Sequence, residues 1–353
     1  MDEIPDARDI DRPTAEEMVE LVDPTFEFEH VEPAERGFCS VYRVEGGDPP
    51  QEYYLKISPD GQPWGIPVEA RVQAALAAET SLPVPEVVGV VDGHDRLPTP
   101  YYLMEARPGE ELPYEHVARC EDGFLRRLAR ETGAYLAELH GVPAVEQFGH
   151  VRHDGPDLSG APPAGDPSVL SVGDPHDSWP AYLRERVDQE LQRHADSRFD
   201  GLTADLEAFF EEAIGELSGP FDPVLGRNDH GLHNLLVKPA TGAITGMLDW
   251  GYTLAVPAAF DVAFAAYLYS GAFMAGLPEV RDRRPLVREA MLEGYRSVAP
   301  ERAAALELDP AYEVLAMIRI MNDFGHLDLP EGTETAVADR VREDGRDLLS
   351  GTR

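Results

Sequence analysis

Along the first hundred residues, apolar and polar positions alternate with a period of two, and then a helical period takes over. Phe26-Glu-Phe-Glu-His-Val31, Ser40-Val-Tyr-Arg-Val44 and Glu52-Tyr-Tyr-Leu-Lys-Ile57 read as strands, because alternation sends successive side chains to opposite faces. In the third, Tyr54 and Lys56 share one face while Leu55 and Ile57 share the other. Glu45-Gly-Gly-Asp-Pro-Pro50 is turn chemistry, so an antiparallel meander is expected. Before it, residues 14–22 predict a short helix with Thr14 as N-cap and Glu17 at capping-box spacing. Residues 1–12, acidic and poor in apolar side chains, are expected to fray. After the meander, Val68, Val72 and Leu76 mark the buried face of a helix from about Pro67 to Ala78, broken by Leu82-Pro-Val-Pro85. Two more strands are expected at 86–91 and 101–104.

Strands largely stop at Glu105-Ala-Arg-Pro-Gly109. Helical patterns follow near 124–140, 180–198, 202–217, 258–269, 285–298, 310–324 and 335–349, and 151–177, rich in Pro, Gly and Asp, reads as a long loop. Strands first and helices second describe an α+β fold. The chain divides into a first lobe (1–104), a hinge (105–112) and a helical lobe (113–353). Two short strands, 234–237 and 243–248, interrupt the helical part.

With 353 residues the chain has enough length for two lobes with cores. Charge changes the picture more. The balance of 30 basic and 66 acidic residues gives −36, and only Lys56 and Lys238 are lysines. Such acidity argues against nucleic-acid binding, which needs cations on phosphate. The acid is spread along the chain as a solvated surface, and it suits a salt-rich cytosol in which screening removes self-repulsion. A halophilic source is therefore expected. Residues 255–278 approach membrane-span length but hold Asp261 and two prolines, so a buried core helix is expected there. No signal peptide is read, and a cytoplasmic protein with no membrane partner is expected. Cys39 and Cys120 form no zinc or disulfide pattern.

Polar residues cluster between apolar runs in 226–237: Asp229 stands five residues before Asn234, and Asp249 fifteen after it. A hairpin folded about Thr241-Gly242 would set Asn234 opposite Asp249 at its open end. An amide oxygen and a carboxylate would then reach one ion, and hard oxygen donors suit Mg²⁺. A loop Asp, an Asn five residues on and a metal-binding Asp after a hairpin is the protein-kinase arrangement in outline.

In detail the chain resembles the aminoglycoside phosphotransferase family, in the protein-kinase-like superfamily, from about residue 26 to 275 and most closely over 224–262. That family's loop commonly reads His-Gly-Asp, four variable residues, then Asn. An Asp-Trp or Asp-Phe segment and an Asp at a Pro-Ala-x-Asp-type helix start follow. Here these are Asp229, Asn234, Asp249-Trp250 and Asp261. The resemblance implies a bilobal fold, with a small antiparallel-sheet lobe carrying one helix and a larger, mostly helical lobe. It implies ATP- and Mg²⁺-dependent phosphorylation of a small-molecule hydroxyl, with a catalytic loop at 226–237 and a metal segment at 248–251. Asp229 would be the catalytic group, and Asn234 and Asp249 the metal ligands. Lys56 resembles the strand lysine that contacts ATP phosphates, and Glu69 its ion-pair partner. The backbone C=O of Met104 and N–H of Ala106 would pair with adenine. Gly37-Phe-Cys-Ser40 lies where a phosphate-covering loop belongs, with one glycine. Leu139-His140 resembles the family's Leu-His, and His140 reads as a packed core histidine. A monomer or homodimer is expected.

One departure stands out. Arg227 occupies the place of the family's loop histidine, and Asn228 that of a common glycine. Arg227 could make a bidentate pair with Asp261 or Asp249; of these the Arg227–Asp261 pair is expected, with Asp261 capping a helix or tying down the loop. Two other readings follow from the same residues. One is a non-catalytic nucleotide-binding relative. The other is a metal hydrolase using His230, His233, Asp229 and Asp249. The acceptor itself is not legible.

Overall fold

Alternating side chains build the first layer. The computed structural model describes residues 5–34, 39–59, 65–327 and 329–350. Strands β1 (Phe28–Pro33), β2 (Ser40–Gly46), β3 (Gln51–Ile57), β4 (Val87–Val91) and β5 (Tyr101–Glu105) form one antiparallel sheet ordered β1-β2-β3-β5-β4. Helix α1 (Arg12–Val22) covers one face, where Met18 and Val19 share a core with Val44, Leu55, Ile57 and Leu103. Helix α2 (Ile66–Glu79) covers the other, through Ile66 and Ala70 against Val90 and Tyr102. Lys56 belongs to the α2 side, as its alternation with Leu55 requires. Gly37 and Phe38 of the candidate phosphate-covering loop lie outside the described residues.

Two expectations at the N-terminus are corrected. Asp11, not Thr14, caps α1: its carboxylate accepts the Thr14 N–H at 2.9 Å, and Pro13 follows in the first turn, where a missing N–H costs little. Residues 7–10 do not fray. Ala7 and Ile10 are buried, and the Tyr42 hydroxyl donates to the Ala7 carbonyl (3.0 Å) while accepting the Ile10 N–H (3.3 Å).

The second lobe begins after β6 (Glu110–Glu111) and holds α3 (Tyr114–Arg119), α4 (Asp122–Leu139), α5 (Trp179–His194), α6 (Thr203–Glu216), α7 (Ala258–Ser270), α8 (Arg284–Val298), α9 (Pro300–Ala304), α10 (Pro310–Asn322) and α11 (Glu334–Leu349). Beyond the hinge the strands continue with β7 (Phe148–His153), β8 (Leu170–His176), β9 (Pro223–Gly226), β10 (Leu235–Lys238), β11 (Ala243–Met247) and β12 (Leu254–Pro257). The two strands expected at 234–237 and 243–248 are present as β10 and β11, but the expectation that strands otherwise largely stop there is corrected by β7, β8, β9 and β12. Together with β6 these strands form sheets ordered β8-β7-β12-β9 and β11-β10-β6. The expected long loop at 151–177 thus begins and ends in paired strands, with Val151 opposite Val172. Its Pro, Gly and Asp content concealed strands stabilised by partners far along the chain.

Helices α4 and α8 touch backbone to backbone: a Cβ on Gly133 would overlap the Met291 carbonyl, and one on Gly294 the Arg130 carbonyl. The stretch Ala258–Gly276 is long and apolar enough to cross a membrane by composition, but 83% of it is buried inside the protein. It is a core helix, with Asp261 turned toward the site.

Candidate active site

The site starts on β3. Lys56 Nζ lies 2.9 and 2.7 Å from the two carboxylate oxygens of Glu69, in the first turn of α2. Their side chains are only 10% and 2% exposed. Burial opposes the Lys56 charge, but Glu69 beside it carries its pKa well above the usual lysine range. Burial likewise pushes Glu69 up, against the pull of Lys56. Gln73 Nε2 supports the pair from Glu69 Oε1 (3.4 Å) and the Tyr102 hydroxyl (3.1 Å). Removing one partner of such a pair typically costs about 3–5 kcal/mol, because the other charge is left buried.

The second lobe meets this pair directly. Gly65, at φ +80°, starts α2 so close to the Gly251 carbonyl that any Cβ would overlap it. That contact sets the Trp250 N–H 3.4 Å from Glu69 Oε1 and brings Lys56 Nζ within 3.5 Å of Asp249 Oδ1. Lys56, Glu69 and Asp249 therefore form one cluster spanning 193 positions of sequence separation.

The hairpin carrying Asn234 and Asp249 departs from the simple register. Lys238 pairs with Ala243 and Val237 with Ile244, then a bulge shifts the pairs to Leu236–Gly246 and Leu235–Met247. The turn is the four-residue Pro239–Gly242, with Gly242 at φ +70°, so its centre lies one residue earlier than expected. The Asn234 carbonyl accepts the Leu248 N–H at 2.9 Å, and Asp249 stands one residue beyond the position opposite Asn234. The two remain neighbours at the open end. Asn234 is buried with its Nδ2 unpartnered, and amide N and O are interchangeable in such an assignment. Asp249 adopts φ +59° and exposes 46% of its side chain. With the Asn234 amide turned, its oxygen takes the unpartnered place beside a half-exposed carboxylate, a donor set that fits Mg²⁺, which keeps places for water and phosphate.

Asp229 lies on the loop leading into the hairpin. Its Oδ1 accepts the Gly231 N–H at 2.8 Å, Oδ2 is 3.7 Å from His233 Nε2, and the side chain is 36% exposed. Burial alone would raise its carboxyl, but His233 and the Arg319 guanidinium reverse this and hold it far below the usual carboxylate range. Asp229 in return raises His233. A small cleft of about 50 Å³ is lined by Asp229, Asp249, Arg227, Asn228, Tyr252 and Arg319, among others. The cleft brings the loop aspartate, Asp229, and the hairpin aspartate, Asp249, onto one surface.

Sequence reasoning missed two neighbours. Arg319 of α10 donates to the Asn228 carbonyl (3.1 Å) and to its Oδ1 (3.2 Å), and Arg186 of α5 reaches the same Oδ1 at 3.1 Å. Each is one of 28 arginines, set on a helix, and no motif marks either.

The expected Arg227–Asp261 side-chain pair does not form. Asp261 accepts the Arg227 backbone N–H (3.1 and 3.2 Å), His230 Nε2 (2.7 Å) and His140 Nε2 (3.1 Å). Two imidazoles and a backbone amide leave no room for a guanidinium. Burial works against the Asp261 charge, but the two histidines hold its pKa well below normal. The Arg227 side chain runs the other way. Its Nη2 donates to the carbonyls of Asn234 (3.2 Å) and Leu248 (2.5 Å), and its guanidinium lies 5.0 Å over the Trp250 ring.

His230 is fully buried on Asp261, whereas the His233 side chain is 60% exposed and faces Asp229. No group of three or more His, Cys, Asp or Glu among the described residues could hold a metal, so the hydrolase arrangement is not assembled. At the hinge, the Ala106 N–H donates to the Glu52 carbonyl at 3.0 Å. This extends the β3–β5 pairing by one bond, and the group expected to meet adenine is already engaged.

Two lobes, a buried lysine–glutamate pair under the first sheet and aspartates on a loop and hairpin of the second define a protein-kinase-like phosphotransferase fold. The sequence profile of the phosphotransferase enzyme family, APH, matches residues 30–306, and the chain belongs to that family. No curated protein matches it. Solved structures share the fold. A Ralstonia eutropha JMP134 protein described as an aminoglycoside phosphotransferase superposes with a TM-score of 0.63 at 15% identity, covering 96% of this chain and 97% of that one. A protein of Haemophilus somnus 129PT described as a fructosamine-3-kinase gives 0.54 at 13% identity, with 92% of each chain covered. The ternary complex of a thermostable mutant of aminoglycoside phosphotransferase APH(4)-Ia with ADP and hygromycin B gives 0.52 at 15% identity, covering 89% and 94%.

Proposed function

We propose that the chain is an ATP- and Mg²⁺-dependent phosphotransferase that phosphorylates a hydroxyl of a small molecule. The observation that supports this most is the 3.5 Å approach of Lys56, already paired with Glu69, to Asp249 in the other lobe. A phosphate-binding lysine and a metal-binding aspartate must face one another across such a cleft.

Lys56 neutralises charge on the α- and β-phosphates, and Glu69 fixes where its ammonium points. Asn234 and Asp249 hold Mg²⁺, which when bound neutralises and orients the phosphate oxygens. Met104 supplies the backbone contact to adenine. Asp229 orients the acceptor hydroxyl. Its depressed pKa keeps it ionised and makes it a weak base, so it takes the proton late, as a loose transition state allows. Most of the acceleration then comes from positioning and charge stabilisation. Nucleotide and small-molecule acceptor are carried over from the APH(4)-Ia complex with ADP and hygromycin B. The −36 charge is read as adaptation of a cytoplasmic protein to concentrated salt.

The test is ADP release from ATP over a panel of hydroxyl compounds in high KCl, with and without EDTA. EDTA-sensitive turnover of some members is expected. The engaged Ala106 N–H and Arg227 in the loop favour one second reading, a nucleotide-binding relative without catalysis. It predicts an ATP-induced rise in melting temperature with no ADP formed on any member.

A further inference from the structure

We infer that the acceptor carries an oxyacid group, a carboxylate or phosphate, seated by Arg186 and Arg319 beside Asp229. This rests on the phosphotransferase reading and narrows its substrate class. Arg186 is 7% exposed, its Nε is buried without a partner, and it pairs with no carboxylate among the described residues. Its one strong contact is Asn228 Oδ1, which Arg319 Nη1 also approaches at 3.2 Å. Two mutually repelling guanidinium groups thus converge on one neutral oxygen, next in sequence to the proposed catalytic aspartate. The nearest acid to Arg319 is Asp323 at 3.7 Å, and Asp323 is already held by Arg193 at 2.5 Å.

The chain does not lack carboxylates, having 66 acidic residues, and it uses one to neutralise another buried arginine. Buried Arg71 pairs with Asp92 at 2.7 Å. Buried cations left without a counter-charge are costly, and the planar guanidinium fork is shaped for bidentate oxyanions. Asp229 and Asp323 face Arg319, whereas no carboxylate among the described residues pairs with Arg186. Arg319 lines the cleft that holds Asp229 and Asp249. An anion between Arg186 and Arg319 therefore places the rest of a small acceptor within that cleft. A polycationic acceptor meets these two arginines unfavourably.

The test compares acceptors that differ only in charge: glycerol, D-glycerate and glycerol 3-phosphate, then glucose, gluconate and glucose 6-phosphate, with kanamycin as the cation. ATP, Mg²⁺ and KCl are held constant. The expected result is a kcat/KM at least ~10-fold higher for an anionic member than for its neutral analogue, and the carboxylate and phosphate arms show which oxyacid is preferred. Arg186→Gln should raise the acceptor KM by ~10-fold or more with the KM for ATP little changed, and Arg186→Lys should recover part of it. Preference for the neutral or cationic member, or an anion KM unmoved by Arg186→Gln, overturns the inference while leaving the kinase reading intact. If no member is turned over, melting curves decide. A saturable stabilisation by gluconate or glucose 6-phosphate that Arg186→Gln abolishes supports it, and no such stabilisation overturns it. ATP-induced stabilisation, measured separately, reports on the nucleotide site alone.

Discussion

The Arg227 guanidinium lies 5.0 Å from the centre of the Trp250 ring and donates to the carbonyls of Asn234 and Leu248. One side chain thus ties the loop carrying Asp229 to both strand ends of the hairpin that presents Asn234 and Asp249. Where the family resemblance led to an expected ionic partner, the cation is met by carbonyl dipoles and a π face. Arg227→Ala removes these contacts and strands the Leu248 carbonyl. A stability loss of roughly 3 kcal/mol is expected in urea unfolding, with a lower kcat. A loss under about 0.5 kcal/mol, the range of an ordinary surface change, would take Arg227 out of this role.

Asp261 anchors the same loop from below, through the Arg227 N–H, His230 and His140. Its folded pKa is depressed relative to the unfolded chain. The stability it contributes is therefore fully present above the unfolded carboxylate value, ~3.9, and is lost as pH falls below it. The free-energy gap between wild type and Asp261→Asn should be about 3 kcal/mol at pH 7 and should narrow below about pH 4. Taking the difference cancels the relaxation of the −36 surface charge on acidification. A gap that stays constant down to pH 3 contradicts this assignment.

Much of the scaffold was legible because the pattern itself is physical. Alternation placed Leu55 and Ile57 in one core and Lys56 opposite, and the 3.6 period found α4, α8 and α10 within a few residues. In the second lobe the 234–237 and 243–248 strands were read, and others escaped for two reasons. The Leu254–Pro257 strand is a short, wholly buried apolar run, which periodicity cannot separate from the helix that follows. β8 carries Gly173, Asp174 and Pro175 and depends on its pairing with β7. In the site, the Asp229–Asn234–Asp249 spacing was readable because chain order and loop length constrain it. Arg227's direction was not, since spacing fixes which residues are near but not which neighbour a long side chain chooses. Arg186 and Arg319 come from helices whose packing no local signal predicts.

The Lys56–Glu69 pair, proposed as the phosphate site, is also a structural liability. Glu69→Ala should destabilise the fold by about 3–5 kcal/mol, since Lys56 is left charged and buried. It should also weaken ATP binding, read by calorimetry. A double variant, Lys56→Met with Glu69→Ala, should recover part of the stability but none of the nucleotide affinity. Full recovery of ATP binding in the double variant contradicts the role given to Lys56.

Salt should matter throughout. With −36 net charge, repulsion acts over roughly 10 Å in 0.1 M salt and about 3 Å in 1 M. The melting temperature is expected to climb steadily from 0.1 to 2 M KCl. A melting temperature independent of KCl would show that the acidic surface is no burden and that its salt adaptation is misread.

Phosphoryl transfer at Asp229 is the central claim, and Asp229→Asn tests it most directly. The substitution keeps shape and the Gly231 contact but removes the charge that orients the acceptor hydroxyl. On any acceptor that wild type turns over, single-turnover ADP formation should fall by about 10²–10⁴-fold, with the Kd for ATP little changed. Wild-type turnover in Asp229→Asn would contradict the assignment outright.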